Sequence, residues 1–216
     1  MLTSRYLVAL LFAAGLAHAG PIFDNGLPNV TNVRDISLFR SADNFTVGDV
    51  SIGAIQFWIS ASSPIQTDPQ TNFSGTITYA FYNDNSGSIG SLITSGTVSG
   101  LVSVFSGLTH GGSNANINVL NVSLLAPLSL SAGTYWLELH EGPTLTTSDG
   151  TNIGWELSSS SGDAKQGLAT DGVPVNGIGN ELAFELLPDS TSSVPEPKTS
   201  LLVGTALLLA VRRLRG

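Results

Sequence analysis

Apolar and polar residues alternate in short runs along most of this chain, without the long 3.6-residue periodicity of amphipathic helices. The segment Ala54-Ile55-Gln56-Phe57-Trp58-Ile59-Ser60 puts Ile55, Phe57 and Ile59 on one face of an extended backbone. Residues 75–82 gather Ile77, Tyr79 and Phe81 in the same way, and residues 180–187 gather Leu182, Phe184 and Leu186. Further strands are predicted at 36–40, 92–98, 101–106, 117–125, 134–141 and 152–158. Turn signals separate them, among them Asn83-Asp84-Asn85-Ser86-Gly87, Gly111-Gly112-Ser113-Asn114 and Asp149-Gly150. Eight or nine short strands so punctuated predict an all-β fold over residues 20–187, an antiparallel β-sandwich of jelly-roll-like kind. That length suffices for one hydrophobic core.

Both ends break the pattern. Arg5 precedes an apolar run at 6–16, and Ala17-His18-Ala19 follows as a small-x-small cleavage pattern. Residues 1–19 therefore read as a signal peptide, cut between Ala19 and Gly20 by signal peptidase after passage through the Sec export machinery. At the other end a Ser/Thr linker, 188–193, leads into Val194-Pro195-Glu196-Pro197, an uncharged run at 199–211, and Arg212, Arg213 and Arg215. Neither proline can continue a helix, so a helix begins after them. Thirteen uncharged residues span ~20 Å as a helix, against a bilayer core ~30 Å thick. The expected product is a short transmembrane segment with its arginines on the cytoplasmic side.

The order of Val194-Pro195-Glu196-Pro197, an apolar segment and terminal arginines resembles the PEP-CTERM sorting signal of exopolysaccharide-producing Gram-negative bacteria. The resemblance implies recognition of residues 194–216 by an exosortase, a membrane transpeptidase-like enzyme, and cleavage near the Pro-Glu-Pro. It implies passage through the inner membrane and delivery to the cell surface or extracellular matrix. The segments 73–87 and 130–137 are similar to strands of uncharacterised extracellular β-sandwich domains, a resemblance that implies a fold and no catalytic residues.

Charge changes the picture of the exported part. All 16 acidic residues but only three bases (Arg34, Arg40 and Lys165) fall between Asp24 and Glu196, a balance of −13. Such a surface excludes nucleic acid, whose phosphates demand clustered Lys and Arg. It suits solubility outside the cell, or binding of cations or neutral sugars. There is no cysteine, so no disulfide staples an exported chain that must rely on its core.

The residues offer little catalytic chemistry. There is no Gly-x-Ser-x-Gly elbow and no His-Glu-x-x-His, and only His110 and His140 lie beyond the signal peptide. His110 sits in a Gly-rich stretch and reads as a solvated loop histidine. No enzyme and no cofactor is expected. In the strand at 134–141, alternation sets Tyr135, Leu137 and Leu139 on a core face and turns Trp136, Glu138 and His140 outward. Trp58 likewise falls opposite Ile55, Phe57 and Ile59, whereas Trp155 groups with Ile153 and Leu157 as core. Outward Trp58 and Trp136 beside Glu138 and His140 would suit a carbohydrate-binding face, for instance toward exopolysaccharide, unless loops or a neighbouring strand cover the rings. Glu138 and Glu141 face opposite ways and make no glycosidase pair. Calcium has two candidate oxygen sets, Asp84 with Asn83 and Asn85, and Asp43 with Asn44 and Asp49, both of which also read as ordinary Asx turns. The Asn-x-Ser/Thr matches at Asn29, Asn44, Asn72 and Asn121 read as coincidence.

Overall fold

A computed structural model describes residues 20–61, 68–111, 114–148 and 150–189. The predicted signal peptide, most of the linker and the whole sorting tail, including Ala17, Ala19, Val194–Pro197 and the terminal arginines, lie outside the described residues. Pro21–Ser192 forms one compact unit, and its described residues are all-β.

The strands are β1 (Phe23–Asp24), β2 (Pro28–Asp35), β3 (Phe39–Val47), β4 (Val50–Ala61), β5 (Thr76–Asp84), β6 (Ile89–Ser99) and β7 (Val104–Thr109). They continue with β8 (Asn116–Leu130), β9 (Gly133–Glu141), β10 (Ile153–Ser158), β11 (Lys165–Leu168), β12 (Asn176–Gly177) and β13 (Phe184–Pro188). Two antiparallel sheets result. The first is built around the long β4, which pairs with β8 on one side and with β13 and β10 on the other. β7 extends it beyond β8, while β1 and β2 extend it beyond β13 and β10. The second sheet runs β12-β11-β3-β9-β5-β6. Because each strand shows its alternate side chains to one face, the two inner faces close a single core between the sheets.

That core contains the faces expected from alternation. Ile55, Phe57 and Ile59 of β4 and Trp155 of β10 meet Ile77, Tyr79 and Phe81 of β5 and Leu137 and Leu139 of β9. Phe45 lies at its centre, with ring centroids 6.0 Å from Phe81, 5.9 Å from Tyr135 and 6.4 Å from Phe184. Trp155 packs edge-on against Phe57 and Phe184 at 5.8 and 5.7 Å, and its indole N–H donates to the Ala183 carbonyl at 2.8 Å.

Several strands lie away from their predicted places. Residues 36–38 are a turn between β2 and β3, where the Asp35 carboxylate accepts from the backbone N–H groups of Ser37 and Leu38. Polar β2 and β3 flank that turn, and their Asn, Arg and Asp residues conceal the alternation. The strand predicted at 101–106 begins at Val104, because Leu101 is tied to the Gly75 carbonyl and Ser103 to the Gln70 side chain. β8 runs 15 residues and β13 only five, while β1, β11 and β12 carry no apolar alternation that a sequence could reveal. Among the described residues, no helix is long and apolar enough to cross a membrane.

Candidate functional site

The outer face of the second sheet carries the residues singled out in 134–141. Trp136, Glu138 and His140 do point away from the inter-sheet core, yet all three are fully buried. Small Ala42 and Ala80 stand directly across from Glu138 on β3 and β5, leaving space for long neighbours to fold over it. Arg40 and Tyr82 take that space. The guanidinium binds Glu138 in a fork, Nε to Oε1 and Nη2 to Oε2, the latter at 2.9 Å, and the Tyr82 hydroxyl donates to Oε2 at 2.7 Å. Burial and the Glu138 charge push the Tyr82 phenol up. Burial pulls against the Arg40 charge, but Glu138 more than offsets it and the guanidinium is held above its usual range.

Trp136 donates its indole N–H to Asp84 at 2.8 Å, lies under the Lys165 ammonium at 5.2 Å from the ring centroid, and packs with Ile89 and Leu145. His140 contacts two backbone carbonyls, Nδ1 to Phe39 at 2.9 Å and Nε2 to Thr147. The segment after β9 is thereby pinned over the sheet. Trp58, 5% exposed, is covered on the other outer face by Val30, Leu108 and Val119. The expectation of an open carbohydrate-binding face at Trp58, Trp136, Glu138 and His140 is therefore corrected. Neighbouring strands and the loop after β9 occupy the ring faces and polar groups that a sugar would need.

The carboxylates of the two candidate calcium sets take protein partners. Asp84 accepts from Trp136 and from the Gly87 backbone N–H in an Asx turn. Asp49 turns away to the Ala132 backbone N–H at 2.9 Å. Asp43 instead meets Asp163 and Glu181, carboxylates from two later loops, whose oxygens all lie within 4.8 Å of one another. Asp43 is buried and accepts from the Leu182 backbone at 2.6 Å and from Asn25 at 2.9 Å. Burial, then the hydrogen bond and charge of Glu181, push its carboxyl up to about 10. The charged form of the Asp43 carboxyl is thus disfavoured by burial and by its acidic neighbour.

His110 is not a solvated loop residue. Its side chain is 11% exposed and is held by two residues on the outer face of the first sheet. Nε2 lies 2.8 Å from Oε1 of Glu156 and 3.0 Å from Oγ of Ser60, while the Ser60 hydroxyl donates to that same carboxylate oxygen. A hydrolytic relay needs the hydroxyl and the acid on opposite imidazole nitrogens. Here both lie at one nitrogen and hold the loop against the sheet. The Glu156 hydrogen bond raises the His110 pKa, against the opposing effect of burial. Val30 holds the other side of the loop: it accepts from the Gly111 backbone at 3.1 Å and adopts φ +56°, a strained value for a β-branched residue.

Sequence reasoning missed the partners Ser60, Glu156, Arg40, Tyr82, Asp163 and Glu181, because they come from strands and loops far apart in the chain. The one available signal was buried-strand polarity: a lone Arg, Glu or Asp within an otherwise apolar or small-residue strand. No family model matches this chain, and no curated protein matches its sequence.

Proposed function

We propose that this chain is an exported, tail-sorted bacterial β-sandwich protein that serves as a non-enzymatic component of the cell surface or exopolysaccharide matrix. The observation that carries this reading is the ordered C-terminal series of Pro195-Glu196-Pro197, a short apolar run and Arg212, Arg213 and Arg215, opposite an N-terminal signal sequence. An exosortase removes the tail near Pro195–Pro197, after a brief stay in the inner membrane, and the acidic domain passes outward. Two features of the domain support a mechanical role. Glu138 on one outer face is taken up by Arg40 and Tyr82, and the core spans both sheets without a disulfide. We read the sandwich as jelly-roll-like, on the ground that the chain crosses repeatedly between the sheets, as from β2 to β3 to β4 to β5.

The test is a pair of variants in the native host, one with Pro195 and Pro197 both replaced by Ala and one with Arg212, Arg213 and Arg215 replaced by Ser. The reading predicts that each variant accumulates in the membrane fraction while the unaltered chain reaches the surface or medium. Equal distribution of all three forms contradicts it.

A further inference from the structure

One end of the β7–β8 hairpin lies over the outer face of the first sheet. The ladder between β4 and β8 reaches only to the pair Ile59 and Asn118, so hairpin residues 108–111 and 114–117 extend past it. Beneath them sits Trp58, packed with Ile117 and Ala183 and covered by Val30 and Leu108. His110 and Gly111 hydrogen-bond this hairpin end to the sheet. The His110 ring meets Glu156 of β10 at 2.8 Å and Ser60 of β4 at 3.0 Å, and the Gly111 N–H donates to the Val30 carbonyl of β2 at 3.1 Å. The same carbonyl accepts from the His110 ring.

Two backbone features give this end a hinge and a bias toward release. β7 bulges between Phe105 and Leu108, and Gly107 within the bulge stands at φ +86°, a conformation glycine adopts freely. Val30 is held at φ +56°, where a β-branched residue is strained, and the hairpin supplies the donors to its carbonyl. Charge enters through one residue. From Asn85 to Leu137 no Asp, Glu, Lys or Arg occurs, so His110 is the group on this hairpin that titrates near neutrality. Facing it, β10 supplies Glu156 and β4 carries no charged residue. On β2, Asp35 is bound to Ser37 and Leu38, and Arg34 stands opposite Trp155 on the core side. On β13, Glu185 is bound to Gln56 farther along the same outer face.

We propose that this hairpin end is a pH-operated latch: it closes over Trp58 while His110 is protonated and swings out about the Gly107 bulge when that proton is lost. An imidazolium donates to the Glu156 carboxylate and the Val30 carbonyl at once, whereas a neutral ring has a single N–H and must release one of them. Loss of the proton also strips the buried Glu156 of its counter-charge, and its Oε2 already has no hydrogen-bond partner among the described residues. Opening lets water reach that carboxylate and relieves the strain at Val30. The Glu156 hydrogen bond raises the His110 pKa, against the opposing effect of burial. The latch is therefore closed below the ordinary value of 6.5 and opens as pH rises through the raised one. Opening wets Trp58 and Ile117, which are both buried while it is closed.

The protein for the test is residues 21–192, which contain the whole principal core and form one compact unit. Acrylamide quenching of tryptophan emission, followed from about pH 5.5 to about pH 8.5, reads the latch directly. Trp136 and Trp155 are fully buried elsewhere, so a gain in quenching reports Trp58. The quenchable share should rise with pH by up to one tryptophan of the three, while the far-UV circular dichroism stays constant. His110→Gln and Glu156→Gln should each abolish the step, since neither variant can form the ion pair. Quenching of the parent that is flat across the range overturns the proposal, as does a step that survives in either folded Gln variant. A step accompanied by loss of the β signal also overturns it, because the whole domain is then opening. Delivery of the chain plays no part in the latch, so failure of either idea leaves the other standing.

Discussion

Arg40 and Glu138 illustrate how single residues decide this surface. Two charges buried on an outer sheet face cost desolvation energy, which the two-pronged hydrogen bond and Tyr82 offset. Arg40→Ala leaves Glu138 buried without its counter-charge and should lower the unfolding free energy by about 3–5 kcal/mol in urea titrations. The double replacement Arg40→Met with Glu138→Leu should recover most of that loss, since two apolar groups fill the same space without charge. Two other residues set the dependence on pH. His110 has its pKa raised in the fold by Glu156 above its ordinary 6.5. Its contribution is complete below that value and declines as pH rises through the raised one. Asp43 behaves likewise: its carboxyl goes from 3.8 to about 10 on folding, so its contribution is full below its unfolded value and lost toward alkaline pH. Melting temperature should therefore fall between about pH 6 and about pH 9. Asp43→Asn should make that decline shallower across the whole range, and His110→Gln only in the part near neutrality. An unchanged slope in both variants would show that neither group responds as described.

At the level of the strand, legibility followed apolar alternation. Ile55, Phe57 and Ile59 marked β4, Ile77, Tyr79 and Phe81 marked β5, and Leu137 and Leu139 marked β9, because the inner face of a sandwich is uniformly apolar. The outer faces were legible in direction but not in burial. Trp136 pointed the expected way, and what covers it (Lys165, Leu145 and the carbonyl-bound loop after β9) comes from elsewhere in the chain. β3 escaped notice because Arg40, Asp43 and Asn44 interrupt its apolar pattern while serving three separate contacts. Gly53 makes a further element-level prediction. It sits where β4 bulges against β8, and a Cβ there would lie 2.5 Å from the Asp189 Cα. Gly53→Ala must push the end of β13 away, at a cost of about 1–3 kcal/mol measured by thermal unfolding. Loss of the pairing between Pro188 and Ile52, seen as faster amide exchange after β13, would accompany it.

On the proposed reading, the whole molecule is an acidic sandwich with an export signal before it and a sorting tail after it. Glu138 on one outer face is engaged by Arg40 and Tyr82, and the proposed delivery rests on the terminal sequences. The intact mass of the protein isolated from its native host tests that division most directly. The account predicts a mass lacking the residues before Gly20 and those beyond about Pro197. A mass that retains Arg212 to Arg215 would contradict it, making the chain an inner-membrane-anchored periplasmic domain and removing the main support for a place in the matrix.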